Sequence, residues 1–151
     1  TVVAPGINGK MSEINAAFGV LQLQYIDEAL AKRKAIDSIY RKKLEGLKGI
    51  TCLNDAGEIK ANYSYFPVLV QPDYPLSRDA LYQKLKDQGI YARRYFYPLI
   101  SDFPMYRSMS SAQRSNLPVA ADAASKVLCL PIYPALTPQD QQRVINILKD
   151  I

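Results

Sequence analysis

The stretch that most constrains the fold of this chain is Gly6–Ala17, which reads Gly-Ile-Asn-Gly-Lys-Met-Ser-Glu-Ile-Asn-Ala-Ala. Ser12 is a favourable N-cap, and the carboxylate of Glu13 in the first turn suits the positive end of a helix dipole. Apolar residues then recur with helical spacing for several further turns. We therefore predict a loop over residues 1–11 and one long helix over residues 12–48.

The predicted helix would be roughly 55 Å long, which exceeds the width of a small domain. Its first half carries the broader apolar surface, because Leu23, Ile26 and Leu30 add to the main stripe. A helix with such a surface usually lines an interface or connects two bodies. We therefore expect the first half to pack on something outside this chain.

Beyond residue 48, alternating strand and helix patterns predict one small domain over residues 49–151. The predicted strands cover residues 63–70, 90–97 and 127–130, and the predicted helices begin at Ser77, Val119 and Thr137. Pro67 lacks a backbone donor, so we place the first of these strands at a sheet edge or at a bulge. The whole is predicted as an α+β fold with a three- or four-stranded, mainly antiparallel sheet and helices on one face.

The composition excludes several classes of chemistry. Histidine is absent, which removes Ser-His and Cys-His nucleophilic catalysis and the commonest zinc sites. Cys52 and Cys129 fit no metal spacing, and we expect two buried free thiols. No apolar run reaches the ~20 residues of a membrane span and no signal peptide is recognisable, so we expect a cytoplasmic protein without a membrane partner. Since the chain begins with Thr1 rather than Met, we expect it to be processed or cut from a longer protein.

The net charge of +5 leaves two classes of partner open. Eleven tyrosines beside 19 lysines and arginines would suit stacking on a nucleotide or on single-stranded nucleic acid. Most of these tyrosines, however, fall where a strand or helix would half-bury them, and no strand carries an RNA-binding signature. A stand-alone basic domain that binds nucleotides or nucleic acid is therefore the alternative hypothesis.

The loop before the first helix is the first candidate site. Asn8 offers both a donor and an acceptor, while Gly6 and Gly9 let a ligand approach the backbone closely. Lys10 adds a positive charge and the helix N-terminus adds N–H groups, so the set suits an oxyanion such as phosphate. From the residues alone, a plain turn explains the same sequence.

The second candidate site lies on the middle predicted strand. Alternation along that strand puts Arg93, Tyr95 and Tyr97 on one side and Arg94 with Phe96 on the other. An arginine beside two tyrosines provides a fork for phosphate and flat surfaces for a sugar or a base. An ordinary amphipathic strand with an exposed cation is the alternative.

Together these segments resemble the DegT/StrS-type nucleotide-sugar aminotransferases, a family of pyridoxal-phosphate enzymes. The family pattern G-x-N-x-[KR]-[ML]-[ST]-[ED]-x-x-A-A, followed by a Gln-Leu pair, is matched here by Gly6, Asn8, Lys10, Met11, Ser12, Glu13, Ala16 and Ala17, with Gln22 and Leu23 after them. A second family segment matches residues 128–136, where Tyr133 would face the site or serve packing alone. The resemblance spans nearly the whole chain and implies the small C-terminal domain of a fold-type-I aminotransferase.

The resemblance also implies roles for individual residues. Asn8 would cross a homodimer interface and hydrogen-bond the phosphate group of pyridoxal phosphate in the other subunit. Lys10 would lie near the same anionic site or near the phosphates of the nucleotide. Arg93, Tyr95 and Tyr97 would border the substrate sugar.

Two features of the family are missing from this chain. Many members carry a histidine after the proline of the second site, whereas here Leu99 follows Pro98, which leaves the exact sugar open. Family members also hold the cofactor as an imine on a lysine upstream of the Gly-x-Asn loop, so we assign no catalytic residue and no metal site to this chain. The resemblance implies a parent enzyme that moves an amino group, typically from glutamate, to a keto group of a nucleotide-linked hexose such as a dTDP-4-keto-6-deoxyhexose. The isolated chain is expected to be inactive.

Overall fold

The computed structural model describes residues 9–53, 59–95 and 97–151 of the chain. Its helices and strands follow in the order α1 (Glu13–Leu23), α2 (Ile26–Leu44), β1 (Ile50–Cys52), β2 (Phe66–Val70), α3 (Arg78–Asp87), α4 (Pro118–Lys126), β3 (Val127–Leu130) and α5 (Pro138–Lys149). Three short 3-10 turns between α3 and α4 cover Ile100–Asp102, Ser110–Ala112 and Arg114–Asn116. The predicted α+β class is confirmed.

The predicted single helix over residues 12–48 is divided into α1 and α2. At the junction, the N–H groups of Gln24 and Tyr25 donate to carbonyl oxygens three residues earlier, at 3.2 and 3.1 Å, instead of continuing the four-residue pattern. Neither residue is a helix breaker, so the sequence carries no signal for this turn. The predicted N-cap is confirmed, because the Ser12 hydroxyl accepts a hydrogen bond from the N–H of Asn15 at 3.3 Å.

Helix α1 lies outside the core, whereas α2 enters it. No residue of α1 is buried, and its side chains at Ile14, Phe18 and Leu23 are 82%, 63% and 69% exposed. In α2, by contrast, one face buries Ile36 and Tyr40 among the apolar side chains of the sheet and α5. The orientation of α1 is therefore not determined by packing within the described residues.

The three strands form one antiparallel sheet in the order β1-β2-β3. Ile50 of β1 pairs with Val70 of β2, and Val68 of β2 pairs with Leu128 of β3. Along β2, buried side chains alternate with half-buried ones, as expected for a strand with one face toward a core. Strand β1 is a short addition that the sequence patterns did not predict.

Pro67 lies in the central strand, so its predicted place at an edge or a bulge is wrong. The physical reason is the register of the sheet. Cys129, opposite Pro67 on β3, exchanges both of its backbone hydrogen bonds with Arg93 rather than with Pro67. The backbone nitrogen of Pro67, which carries no hydrogen, therefore faces β1. Because β1 ends at Cys52, opposite Val68, no residue of β1 lies opposite Pro67. No ladder hydrogen bond between named strands is lost.

The core lies between the sheet and the helices α2, α3 and α5. Its largest fully buried side chains are Tyr40, Phe66, Leu44, Leu81, Leu85, Leu128, Ile145, Leu148, Val68 and Val144. The Tyr40 ring packs on that of Phe66 with centroids 4.9 Å apart, and the Tyr40 hydroxyl donates to the carbonyl oxygen of Pro131 at 3.0 Å. Both Cys52 and Cys129 are free thiols as predicted, although Cys52 is only half-buried.

Candidate functional site

Residues 90–97 were predicted as a strand, but the described residues of this segment, 90–95 and 97, form a loop with one bridge to the sheet. Helix α3 ends in a Schellman turn, in which the N–H of Gly89 donates to Lys86 and that of Ile90 to Leu85, both at 2.9 Å. Gly89 has the positive φ of 74° that such a turn requires. The chain then crosses to the sheet, and a single bridge joins Arg93 to Cys129.

The bridge between Arg93 and Cys129 consists of two backbone hydrogen bonds. The N–H of Arg93 donates to the carbonyl oxygen of Cys129 at 3.0 Å, and the N–H of Cys129 donates to that of Arg93 at 2.8 Å. Beyond it the chain turns, because the N–H of Tyr97 donates to the carbonyl oxygen of Arg94 at 3.2 Å. The strand prediction is therefore wrong, although it identified a segment that lies against the sheet edge.

Arg93 lines a cavity of about 380 Å³ with the ends of β2 and β3 and the loop after α3. The lining residues are Ser64, Tyr65, Tyr91, Arg93, Cys129, Leu130, Pro131, Ile132 and Tyr133. We call it the Arg93 cavity. Among the described residues, its polar side-chain groups are phenol and serine hydroxyls, one thiol and one guanidinium, without a carboxylate. A ligand with an anionic group and flat or hydroxylated parts matches this lining.

The electrostatics of the cavity are dominated by Arg93. Within residues 9–53, 59–95 and 97–151, its guanidinium forms no hydrogen bond or ion pair with another side chain. Burial raises the pKa of the neighbouring Cys129 thiol to about 11, and the positive charge of Arg93 opposes that rise. The thiol is therefore protonated at neutral pH, and the charge of Arg93 is not neutralised by it.

Tyr95 contacts one of the residues that line this cavity. Its ring meets that of Tyr65 edge-to-face, with centroids 5.0 Å apart. Tyr65 in turn lines the Arg93 cavity, whereas Tyr95 is not among the lining residues. The structure thus brings Arg93 and Tyr95 to the same part of the surface.

Tyr97 departs from the predicted alternation. The guanidinium groups of Arg78 and Arg94 both lie over its ring, 5.0 Å and 4.7 Å from the ring centroid. It lines a different cavity of about 240 Å³, shared with Arg78 and Arg114. Because the segment turns instead of continuing as a strand, Tyr97 shares a side with Arg94 and not with Arg93. Phe96, predicted on the side of Arg94, lies outside the described residues.

The first candidate site is described only at its margin. Asn8 and Gly6 lie outside the described residues, so the predicted contact of Asn8 with a cofactor phosphate stays a prediction. Lys10 is exposed just before the N-cap of α1 and is not among the residues that line the Arg93 cavity. Its predicted role near an anionic site is likewise untested.

Sequence reasoning missed two residues of the Arg93 cavity, Tyr65 and Tyr91. Tyr65 directly precedes β2, and an outward position there follows from the alternation of that strand once its register is known. Tyr91 is 74% exposed, which marks it as available for a ligand, but the sequence offers no signal for that exposure. Tyr133, for which packing was the alternative, does line the cavity.

The residues present fit an anionic group better than they fit covalent attachment of a cofactor. None of the described residues that line the Arg93 cavity is a lysine, so these walls supply no amine for an imine. In the described part of the chain, no cluster of three or more Cys, Asp or Glu residues is arranged to hold a metal ion. None of the described helices combines the length and apolar character needed to cross a bilayer.

The described residues thus form an α+β fold with a cavity lined by arginine and tyrosine at the edge of its sheet. A family model of the DegT/DnrJ/EryC1/StrS aminotransferases matches residues 1–149. The chain belongs to this family.

Individual relatives agree with the family match. The chain is 53% identical over 149 residues to the dTDP-4-amino-4,6-dideoxy-D-glucose transaminase of Escherichia coli, and 45% identical over 146 residues to that of Shigella dysenteriae. These matches cover 99% and 97% of this chain. The crystal structure of S. venezuelae DesV in complex with a ketimine intermediate superposes with a TM-score of 0.85 at 28% identity, over 97% of this chain and 38% of DesV. The chain spans 39% of the length of either curated transaminase.

Proposed function

We propose that this chain is the C-terminal part of a pyridoxal-phosphate-dependent transaminase that acts on a dTDP-linked 4-keto-6-deoxyhexose. The observation that carries the proposal is the 53% identity to the Escherichia coli dTDP-4-amino-4,6-dideoxy-D-glucose transaminase over nearly all of the chain. The parent enzyme transfers an amino group, with glutamate as donor, to the keto carbon of the sugar. The reaction takes place in the cytoplasm.

In this proposal the Arg93 cavity receives the anionic part of the nucleotide-sugar. The guanidinium of Arg93 presents donors to the oxygens of a diphosphate, and the absence of a carboxylate from the lining leaves those donors to the ligand. Tyr65, Tyr91 and Tyr133 offer rings for stacking and hydroxyls for the sugar. The cavity therefore binds and orients, and it breaks no bond itself.

The chemistry of amino transfer resides outside this chain. Pyridoxal phosphate supplies an electron sink at the carbon that exchanges its amino group. Asn8 is proposed to hold the cofactor phosphate across a homodimer interface, and Lys10 to add positive charge beside it. No described lysine lines the Arg93 cavity, so we expect the isolated chain to be inactive and to give no stable lysine adduct when it is mixed with pyridoxal phosphate and borohydride.

The exposed apolar face of α1 supports a parent longer than this chain. Ile14, Phe18 and Leu21 follow each other at helical spacing, and each is more than half exposed. In the parent, this face packs on the preceding large domain, where burial removes the apolar side chains from water.

The experiment that tests the proposal is a transamination assay of the protein that carries this chain together with the large domain. The purified protein is incubated with pyridoxal phosphate, glutamate and dTDP-4-keto-6-deoxyglucose, and the amino sugar is detected by mass spectrometry. Conversion supports the proposal. Conversion of a GDP- or UDP-linked keto sugar instead would revise the nucleotide, and no conversion of any keto sugar would overturn it.

The same purified protein also tests the alternative function, which is nucleic-acid binding. The net charge of +5 would favour a nucleic-acid-binding role if the protein bound a generic oligonucleotide with an affinity that falls steeply with salt. We expect no such binding at physiological salt, because among the described residues the Arg93 cavity offers one guanidinium and therefore a single phosphate contact.

A further inference from the structure

Arg93 and Arg94 are neighbours in sequence, but their side chains have different surroundings. The guanidinium of Arg93 faces the cavity without a side-chain partner in the described residues. That of Arg94 lies 4.7 Å from the ring centroid of Tyr82 and 4.7 Å from that of Tyr97. Its Nη1 also lies 3.3 Å from Oδ1 of Asp79. Arg94 thus contacts side chains of the protein, although its own side chain is still 35% exposed.

The partners of Arg94 are themselves anchored. Tyr97 has the guanidinium of Arg78 against its ring as well, at 5.0 Å. Arg78 is 5% exposed, and its Nη1 donates to the carbonyl oxygens of Ala124 and Val127 at 3.0 and 3.2 Å. The contacts of the Arg78 and Arg94 guanidinium groups with the Tyr97 ring, which we call the arginine stack, therefore connect α3 with the loop and with the junction of α4 and β3.

Asp79 joins the two arginines of this stack. Its Oδ1 lies 2.8 Å from Nε of Arg78 and 3.3 Å from Nη1 of Arg94. Stacked planar groups with a shared carboxylate restrict both the position and the tilt of the loop, which a single point charge would not do. On its other side, the loop is joined to the sheet by the bridge from Arg93 to Cys129, and Ile90 and Ala92 before the bridge are buried in the core.

We propose that Arg94 is a positioning residue for Arg93. By clamping the loop onto α3, it holds the backbone bridge to Cys129 in place and keeps the guanidinium of Arg93 directed into the cavity. Arg94 does not contact the substrate. This inference rests on the proposed function, since it presumes that Arg93 binds the anionic part of the nucleotide-sugar.

The test uses the parent enzyme and separates KM for the nucleotide-sugar from kcat. Arg93→Ala is expected to raise KM about tenfold, the size of one lost charge-assisted contact, with kcat within about twofold. Arg94→Ala is expected to raise KM about fivefold with kcat likewise retained. The Arg93→Ala/Arg94→Ala double variant should have the KM of Arg93→Ala alone, because nothing remains to be positioned.

A second pair of variants tests the stack without touching either arginine. Tyr82→Leu keeps apolar packing but removes the ring face under Arg94, and it should raise KM as Arg94→Ala does. Tyr82→Phe keeps the ring face and should leave KM at the wild-type value. Thermal unfolding of each variant, with saturating cofactor, shows whether it is folded at the assay temperature.

The outcomes distinguish this inference from the function on which it rests. If Arg93→Ala leaves KM unchanged, the proposed binding role of the cavity fails. If Arg93→Ala raises KM but Arg94→Ala does not, the positioning role alone is overturned. A double variant whose KM is the product of the two single effects would also overturn it, since Arg94 would then bind substrate independently.

Discussion

Gly49 lies so close to Tyr74 that a Cβ atom added to the glycine would stand 2.4 Å from the Cα of the tyrosine. Gly49 also has a positive φ of 77°. The segment that leads into β1 thus crosses the backbone after β2 at a distance that only glycine allows. This contact fixes the segment before β1 against the segment after β2.

Gly49→Ala is therefore expected to be severely destabilising. Backbone atoms of Tyr74 cannot move as a flexible side chain would, so we expect a loss of about 3 kcal/mol or more in the free energy of unfolding. Gly46→Ala is the matched control, because Gly46 has a similar φ of 71° but open space around it. Its expected cost is about 1–2 kcal/mol, from backbone conformation alone. Urea denaturation measures both, and equal losses would contradict the steric explanation.

Tyr74 also makes the free energy of unfolding depend on pH in the alkaline range. Its buried hydroxyl donates to the carbonyl oxygen of Leu148 at 2.9 Å, and burial raises its pKa from 10.0 to about 12. The folded protein therefore keeps the phenol protonated where the unfolded chain loses its proton. The stabilisation that the protonated phenol contributes to the folded state is fully present below pH 10, and it is lost between about pH 10 and 12.

Tyr74→Phe tests this dependence. At pH 7 it should cost about 1 kcal/mol, since the carbonyl of Leu148 loses its donor. Between pH 10 and 12 the variant should lose stability less steeply than the wild type, by up to about 1.4 kcal/mol per pH unit. Tyr25→Phe, which alters a 61% exposed residue, serves as control and should stay within about 0.5 kcal/mol of wild type at pH 7. Parallel pH curves for Tyr74→Phe and wild type would contradict this account.

Replacing apolar residues of α1 with polar ones should not destabilise this domain. Phe18→Gln and Leu21→Gln alter side chains that are 63% and 54% exposed, so each is expected to change the free energy of unfolding of the chain by less than about 0.5 kcal/mol. Both should reduce self-association in sedimentation velocity, because less apolar surface remains.

The core variant Leu81→Ala provides the contrast for α1. Leu81 is fully buried, and its truncation should cost about 2–5 kcal/mol. If Phe18→Gln costs a comparable amount in the isolated chain, then α1 packs on this domain in solution, and the large domain is not its partner.

Much of the fold could be predicted because local signals are strong. Ser12, Ser77 and Thr137 each accept a hydrogen bond from the backbone N–H three residues on, as their N-cap positions predict. The aromatic and β-branched residues of β2 and the apolar run of β3 likewise marked those strands. The break at Tyr25 and the three-residue β1 left no such signal, because neither segment carries a helix breaker or a strand-length apolar run.

The candidate site was only partly predictable for the same reason. Arg93 and Tyr95 were recognised from their residue types and do lie at the cavity or beside it. Tyr97 was placed with them on the assumption of strand alternation, but a turn beyond Arg94 moves it into the arginine stack. Long-range contacts such as that of Tyr97 with Arg78 have no local pattern from which they could be predicted.

The most direct test of the account is the KM of the parent enzyme for dTDP-4-keto-6-deoxyglucose after the Arg93→Ala substitution. Arg107→Ala is the control, since Arg107 is an exposed arginine that does not line the Arg93 cavity. The account predicts a KM raised about tenfold or more for Arg93→Ala, as expected for loss of a charge-assisted phosphate contact, and an unchanged KM for Arg107→Ala. Equal KM values for the two variants would contradict the assignment of the Arg93 cavity to the nucleotide-sugar.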